Sequence, residues 1–252
     1  MRAEALLIGF LLALARVAGV LTFLPLPGIR SGPEPARVVL ALSFTLALFS
    51  SWPLAPDDLS AGRLAGWMLA EAALGIAIGL AASFLAEAFV MAAQIIGLQA
   101  GYAYASTIDP STQADSGILL VFVQLIAGLL FLALGLDREI IRILAQSFDT
   151  QPPGGFLITP RAAESLLRLG ASLFSVAFRL ALPVVALLVL VDLGLALLGR
   201  LNQHLQLLTL AFPVKMLAAI LLLAWIAVMF PAVYRGSARG ALEAARVVIS
   251  GR

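Results

Sequence analysis

Long apolar runs separated by short polar segments organise the whole chain. The longer runs have about the 20 mostly apolar residues that an α-helix needs to cross a bilayer, and prolines and glycines punctuate the segments between them. The pattern predicts a first helix over about residues 4–24 and a second over about 36–51. A third helical pattern begins after Ser60 and continues to about Ser106, which is too long for one perpendicular crossing. It predicts two helices, a hairpin or one long tilted rod.

The second half of the chain shows a similar alternation. A fourth apolar helix begins near Ser116 and continues into the amphipathic stretch "DREIIRILAQSF". The segment "DTQPPGGFLITP" then forms the clearest linker. Two further apolar segments follow, over about 161–198 and 207–234. They contain Pro183 and Pro213, where we expect kinks or breaks.

The linker divides the chain into parts of unequal length. We expect a larger N-terminal part over residues 1–150, with a polar loop at about 103–118 inside it, and a linker over 151–160. A two-segment part follows over 161–234. Residues 235–252, "RGSARGALEAARVVISGR", carry four arginines against one glutamate. The positive-inside tendency predicts that this tail is cytoplasmic.

Two local patterns refine the helix predictions. The first residues resemble a signal peptide, with Arg2 before an apolar run, but Glu4 and the apolar residues after Arg16 favour a retained first membrane helix. In the third helical pattern, glycines recur at four-residue spacing. Such small residues let membrane helices approach closely, which predicts tight packing at Gly62 and Gly66, Gly75 and Gly79, and Gly97 and Gly101.

Composition strengthens the membrane interpretation. The 252 residues are 62% hydrophobic and 12% charged, and the mean hydropathy is +1.06. Soluble domains are about 45–50% apolar and about 25% charged, so this chain has too little polar surface to cover a soluble globule. We therefore expect an all-α integral membrane protein.

The residue types present exclude most kinds of metal site and catalytic site. The chain has no cysteine, which excludes disulfides, zinc–thiolate sites, iron–sulfur clusters and thiol catalysis. His204 is the only histidine and has no carboxylate at helical spacing beside it. No phosphate-binding, zinc-protease or serine-hydrolase motif is present, and no base is placed to activate a serine. We expect no enzyme activity, no catalytic residue, no metal and no cofactor.

Charges inside the apolar runs carry more information. An Arg, Lys or Asp at the centre of a membrane helix costs about 2.5–3.5 kcal/mol, so we expect these residues to face protein, a cavity or the interface. The six are Arg16, Glu71, Glu87, Arg179, Asp192 and Lys215. Asp192 and Lys215 are candidates for pairing across the last hairpin. Such charges fit a secondary transporter or a structural channel subunit, and the unequal halves favour the channel subunit.

The segment "AGYAYASTIDPSTQADSGILLVFVQLIAGLLFLALGLDREIIRILAQSFDTQPPGG" resembles the FliR family of the flagellar type III export apparatus. The family motifs correspond here to Gly97–Gly101, Asp109–Pro110, Ile126–Leu134 and Ser147–Gly154. "PLPGIRSGPEPARVVLALS" and "LPVVALLVLVDLGLALLGRLNQHLQLLTLAFPVKM" extend the resemblance to nearly the whole chain. Gln203 and Gln206 depart from the family, which commonly has Pro and Asn there.

The resemblance implies a fold and a role. It implies long kinked helical hairpins, with an N-terminal part like FliP and a C-terminal hairpin like FliQ. The implied function is that of a subunit of the export gate, which forms and closes the pore through which unfolded flagellar proteins cross the inner membrane at the flagellar basal body. Implied partners are FliP-like, FliQ-like and FlhB-like subunits, the export substrates in transit and membrane lipid, with no nucleic acid.

The resemblance also gives the polar loop a role. Taken alone, this loop is typical of a surface turn. In the family, however, the loop between the same two apolar segments is a plug that occludes the pore. The implied plug residues are Tyr104, Ser106, Thr107, Ile108, Asp109, Pro110, Ser111, Thr112, Gln113 and Asp115. The six intramembrane charges would then pair helices or subunits. The alternatives are a virulence injectisome export-gate subunit of the SctT type and a secondary transporter.

Overall fold

The structure is a computed structural model. It describes residues 3–27, 33–53, 60–102, 117–201 and 207–250. All the secondary structure in these residues is helical, which confirms the all-α prediction for this part of the chain.

The described residues contain eight α-helices and one short 3-10 turn. The turn, Phe49–Ser51, directly follows the second helix, so that helix ends earlier than the apolar pattern predicts. The helices are α1 (Ala3–Phe23), α2 (Glu34–Ala47), α3 (Ala61–Ala100), α4 (Gly117–Ala133), α5 (Leu136–Thr150), α6 (Pro160–Leu201), α7 (Leu207–Ala227) and α8 (Phe230–Ser250).

The long apolar patterns form continuous helices. α3 has 40 residues and is therefore about 60 Å long at 1.5 Å per residue, which is the single rod among the three predicted alternatives. α6 has 42 residues and continues through Pro183, and α7 continues through Pro213. The helices are therefore not broken at these prolines, and the alternative prediction, a kink, stays a prediction. A proline removes one hydrogen bond from the helical ladder, and each of these helices continues on both sides of its proline.

The described chain bends sharply at two other places. α4 and α5 meet at 65°, and α7 and α8 meet at 63°. Gly135 lies at the first corner with φ +69°, a left-handed conformation that glycine adopts without steric cost. The helix α8 contains most of the residues that the sequence predicted as a basic tail.

Several helices have the length and composition of membrane spans. Within the described residues these are α1, α3 and α6, and the count rises to as many as five if each bent pair, α4 with α5 and α7 with α8, forms one span. The apolar segments of the sequence therefore form long apolar helices, which are consistent with a membrane protein.

Two compact units contain the described residues. Unit 1 comprises the described residues within 1–86, 128–171 and 235–252, and unit 2 comprises those within 87–127 and 172–234. In unit 1, α3 packs tightly on α1, since a Cβ on Gly75 would overlap the Arg16 carbonyl and one on Gly79 would lie 2.5 Å from the Val20 carbonyl oxygen. The predicted close packing therefore occurs at this glycine pair. Gly62 and Gly66 instead face open space.

Unit 2 has an aromatic cluster of its own. The Phe89 ring on α3 lies 5.1 Å from the ring of Phe230 and 5.1 Å from that of Tyr234. The α6 residues Ala181, Val184 and Leu188 are also buried. Burial along α6 is one-sided, because Leu182, Pro183, Ala186 and Leu187, which lie between these positions, remain exposed.

Candidate functional site

The six charges inside the apolar runs differ in their surroundings. Arg16 and Glu71 are fully buried, and Asp192 and Lys215 form a partly buried pair. Glu87 is half-buried, and Arg179 is exposed. Arg179 is therefore not buried within this chain, and the expectation that it faces protein, a cavity or the interface stays a prediction.

Arg16 lies at the centre of a buried hydrogen-bond network in unit 1. Its Nε donates to Glu71 Oε2 at 2.5 Å, and its Nη1 donates to Ser147 Oγ at 3.0 Å. Its Nη2 donates to the Gln151 carbonyl at 3.3 Å. The guanidinium carbon lies 4.3 Å from the centre of the Phe148 ring, a distance at which cation–π attraction contributes. All three nitrogens of the guanidinium are therefore engaged.

Glu71 connects the same network to the segment after α5. Its Oε1 accepts a hydrogen bond from the backbone N–H of Gly154 at 3.1 Å. The Gln151 side chain in turn donates to the Ile249 carbonyl on α8 at 3.0 Å. Residues 151–155, which the sequence predicted as linker, are thus attached to α1, α3 and α8. We call Arg16, Glu71, Ser147, Gln151 and Gly154 the Arg16 cluster.

The energetics of the Arg16 cluster follow from its burial. Moving an isolated charge into the interior costs several kcal/mol, and a buried pair recovers this cost only when its remaining hydrogen-bonding groups are satisfied. The Arg16 cluster meets that condition. Ser147 also donates to the Leu144 carbonyl at 2.6 Å, so its hydroxyl is held between two partners with no base beside it. The arrangement is suited to holding helices together and not to nucleophilic chemistry.

Asp192 and Lys215 form a second network, in unit 2. Lys215 Nζ lies 2.9 Å from Asp192 Oδ1 and 3.0 Å from Oδ2. Gln99 Nε2, on α3, also donates to Oδ2 at 3.1 Å. The structure therefore brings together the two charges that the sequence suggested as partners, and adds Gln99. We call these three residues the Asp192 cluster. Its carboxylate side chain is still 41% exposed, whereas Lys215 is 14% exposed.

The residues just beyond α3 continue the contact with α7. The Tyr102 hydroxyl donates to the Met216 carbonyl at 3.2 Å. Burial raises the pKa of the Tyr102 phenol, which keeps the proton available for this bond. Gly101 has φ +88°, and a Cβ there would lie 2.8 Å from the Phe212 ring. The end of α3 is therefore fixed against α7 immediately before residue 103.

The predicted plug residues cannot be compared with the structure. Tyr104, Ser106, Thr107, Ile108, Asp109, Pro110, Ser111, Thr112, Gln113 and Asp115 lie outside the described residues. Among the residues that are described, no three His, Asp or Glu side chains are grouped as metal ligands would be.

Comparison with known proteins gives the family. Residues 7–240 match the family described as "Bacterial export proteins, family 1". The chain belongs to this family. It is 32% identical over 212 residues to the flagellar biosynthetic protein FliR of Escherichia coli K12, which covers 84% of the chain and 81% of that protein. Bacillus subtilis FliR is 27% identical over 220 residues, which covers 85% of the chain and 84% of that protein.

A relative with another name also matches. The Salmonella typhimurium protein named "Surface presentation of antigens protein SpaR" is 28% identical over 218 residues, covering 84% of the chain and 80% of that protein. The resemblance to FliR drawn from the sequence motifs is confirmed by these matches. Together with the apolar helices, membership of this export family indicates a membrane location.

Sequence reasoning did not find the partners of Arg16. Ser147 and Gly154 belong to a family motif, and Gln99 belongs to another, but neither motif reveals which charge each residue contacts. Arg16 and Glu71 were both recognised as unusual charges without being paired. Their pairing depends on α1 lying against α3. The sequence pointed to close packing of α3 through three glycine pairs, of which Gly75 and Gly79 contact α1.

Proposed function

We propose that this protein is a subunit of the flagellar type III export gate. The observation that carries the proposal is the similarity to FliR proteins, which reaches 32% identity and extends over most of both chains. Long apolar helices and buried structural charges agree with a subunit that builds a membrane assembly. We propose no catalytic role, since the serine in the Arg16 cluster has no activating base and the charges of the Arg16 and Asp192 clusters are engaged with one another.

The proposed architecture follows the family resemblance. Residues 1–150 would correspond to a FliP-like part and residues 161–234 to a FliQ-like hairpin, with 151–160 between them and the basic residues 235–252 in the cytoplasm. The hairpin assignment is supported by the Asp192–Lys215 ion pair, which joins α6 to α7. The bend between α7 and α8 agrees with hairpins that do not all cross the bilayer as straight rods.

The proposed mechanism is passive. The subunit shapes and closes a pore through which unfolded flagellar proteins cross the inner membrane at the basal body, while the energy comes from elsewhere in the machine. Residues 103–118 would occlude the watery pore as a plug, pushed aside by an arriving polypeptide. Their sequence suits this role, because the hydroxyls and carboxylates tolerate water, Pro110 stiffens the backbone, and Tyr104 and Ile108 can contact an apolar ring.

Proposed partners are the FliP-like and FliQ-like subunits, with an FlhB-like subunit on the cytoplasmic side. The test is co-expression of this chain with its neighbouring FliP-like and FliQ-like chains, followed by purification through a tag on this chain alone. We expect a stable complex that contains all three chains. Recovery of this chain only as a monomer or homodimer would contradict the proposal and would favour the alternative function, a secondary transporter.

The SpaR relative supports a second candidate, an injectisome export-gate subunit. The two candidates share the same membrane role and differ in the proteins that pass through the pore. A deletion strain distinguishes them, since loss of filament assembly and swimming with normal effector secretion would identify the flagellar system. The opposite phenotype would identify the injectisome.

A further inference from the structure

One face of α6 is exposed along its whole course through unit 2. Only 22% of the most apolar part of α6 is buried within the chain, compared with 72% for α3. The members of the exposed face are spaced three, four or eight residues apart, which places them on one side of a helix. It includes Ser175, Arg179, Leu182, Leu190, Leu193 and Leu197. The four leucines are between 56% and 62% exposed. We call these six residues the α6 face.

Arg179 is the polar centre of this face. It is exposed and forms no ion pair or hydrogen bond through its side chain with any residue that the structure describes. Four residues later, Pro183 has no N–H and cannot donate to the Arg179 carbonyl, as residue i+4 does in a regular helix. Arg179 therefore carries both a guanidinium and a backbone carbonyl that lacks the hydrogen bond from residue i+4. Hydrocarbon cannot satisfy either group.

The length of the apolar run argues that protein covers this face. Residues 169–199 carry two charges, Arg179 and the paired Asp192, and span about 46 Å as a helix, whereas the hydrocarbon core is about 30 Å thick. If the hydrocarbon begins near residue 169, Arg179 lies deep inside it. If it begins near residue 180, Phe174 and Phe178 lie outside it while 50% and 48% exposed. The first position surrounds a guanidinium with hydrocarbon, and the second leaves two exposed phenyl rings outside it.

We propose that the α6 face docks against a helix of another membrane subunit, and that this helix presents an Asp or Glu carboxylate to Arg179. The inference rests on the proposed function, because it requires an assembly of different membrane chains. A guanidinium offers donors in a planar fork that matches a carboxylate bidentately. The leucines of the face require an apolar stripe on the same partner helix.

A second copy of this chain does not fit the face. Two copies paired in parallel through it would place Arg179 against Arg179, and like charges repel. The nearest carboxylate along α6, Asp192, already accepts hydrogen bonds from Lys215 and Gln99. The thirteen-residue separation from Arg179 also places Asp192 far from the centre of the face at 100° per residue. Asp192 therefore does not supply the carboxylate that we propose for Arg179.

A unique thiol on the face tests whether it is covered. The chain has no cysteine, so Ser175→Cys introduces a single thiol without changing the charge of the face. We expect a small membrane-permeant maleimide to label it at least tenfold more slowly in the purified complex than in the chain expressed alone. Denaturation of both samples should give equal total labelling. Equal rates before denaturation would overturn the inference, including the case in which lipid alone covers the face.

A second experiment tests the charge. Arg179→Met should reduce recovery of the partner subunit at least tenfold, while Arg168→Met on the same helix should leave recovery unchanged, because Arg168 is exposed and pairs within its own helix with Glu164. Arg179→Glu should regain the partner when the facing carboxylate is replaced by Arg. Normal recovery with Arg179→Met would overturn the inference. Loss of bound anionic phospholipid alone, measured by native mass spectrometry, would overturn it in favour of a lipid site.

The two proposals fail in different ways. A wild-type chain that recovers no other membrane subunit contradicts the proposed function itself. A wild-type complex that forms normally, but labels rapidly at Ser175→Cys, contradicts only the assignment of the α6 face. If Arg179→Met does not accumulate, Arg179→Lys keeps the charge and loses the bidentate geometry. Recovery with Arg179→Lys should then fall between that of the wild type and that of Arg179→Glu, and equal recovery for all three would count against the inference.

Discussion

Arg16 joins more of unit 1 than any neighbouring apolar side chain can. Its three donor nitrogens contact α3, α5 and the segment after α5, and Glu71 reaches the same segment through Gly154. An apolar residue at position 16 would contribute burial but would not fix the direction of that segment. Directional hydrogen bonds to charged groups are also stronger than those between neutral groups. The Arg16 cluster therefore determines where the chain runs after α5.

The first prediction concerns this pair. Arg16→Met or Glu71→Leu alone should destabilise the protein by about 3–5 kcal/mol, because each leaves an unpaired charge in the interior. The double variant should lose much less than the sum of the single variants, since it leaves no buried charge. Thermal unfolding of the detergent-purified proteins, followed by intrinsic fluorescence, compares the stability of the wild type, the two single variants and the double variant. Additive losses would show that the two side chains act independently.

A second prediction concerns Gly154. It has φ +70°, and a Cβ there would overlap the indole of Trp67. Gly154→Ala should therefore cost about 1–2 kcal/mol for the left-handed backbone, and about 1–3 kcal/mol more for displacing the ring. Gly135→Ala is the matched control, because Gly135 has φ +69° with open space at its Cβ position. The same thermal assay should show the smaller loss at Gly135, and equal losses would contradict the role of Trp67.

At the scale of helices, the sequence predicts which segments are helical better than it predicts where a helix continues, bends or breaks. The apolar runs locate most of the described α-helices to within a few residues, because membrane helices require long uninterrupted apolar segments. The exception is α8, most of which the sequence predicted only as a basic tail. The 65° corner at Gly135 was not predicted, since the apolar run there passes directly into the amphipathic stretch. The expected breaks at Pro183 and Pro213 did not occur. A proline has one local effect, whereas packing along a whole helix decides whether that helix breaks.

Pairing between helices is the information that the sequence lacks most. Asp192 and Lys215 lie on adjacent segments, so their contact could be suggested from chain order. Arg16 and Glu71 lie on α1 and α3, with α2 between them in the sequence, and Gln151 reaches the still more distant α8. Spacing along the chain does not determine these contacts, because they depend on which helices are neighbours in space. The plug residues lie outside the described part of the chain, so their role stays a prediction.

The third prediction concerns the joining of α6 to α7. Asp192→Asn should lower the recovery of folded protein more than Lys215→Met, because it leaves the more buried Lys215 without its counter-charge. The combination of the two should be recovered better than Asp192→Asn alone. Fluorescence-detected size-exclusion chromatography after a short heating step measures the folded fraction. Glu164→Gln, which removes an exposed ion pair, should change little, and additive loss in the double variant would contradict the pairing.

At the scale of the whole chain, four helices contribute residues to both compact units. These helices are α3, α4, α6 and α8. Each unit has its own polar cluster, the Arg16 cluster in unit 1 and the Asp192 cluster in unit 2. The end of α3 is fixed by Gln99 and Tyr102 just before the proposed plug begins. Removal of the plug segment should therefore leave the contacts of both units in place.

The last prediction separates occlusion from assembly. Deletion of residues 108–115 should leave the amount of purified complex unchanged, because both polar clusters and the α6 face lie outside the deleted segment. Cells that carry the deletion should become permeable to small ions and molecules, since the proposed plug no longer fills the pore. Growth in the presence of a normally excluded antibiotic, together with potassium efflux, measures the leak. A matched variant replaces the same eight positions with Gly and Ser, and its leak should be intermediate because polar bulk remains without Pro110 or Ile108. A complex that assembles and stays impermeable after the deletion would return this segment to the role of a simple turn.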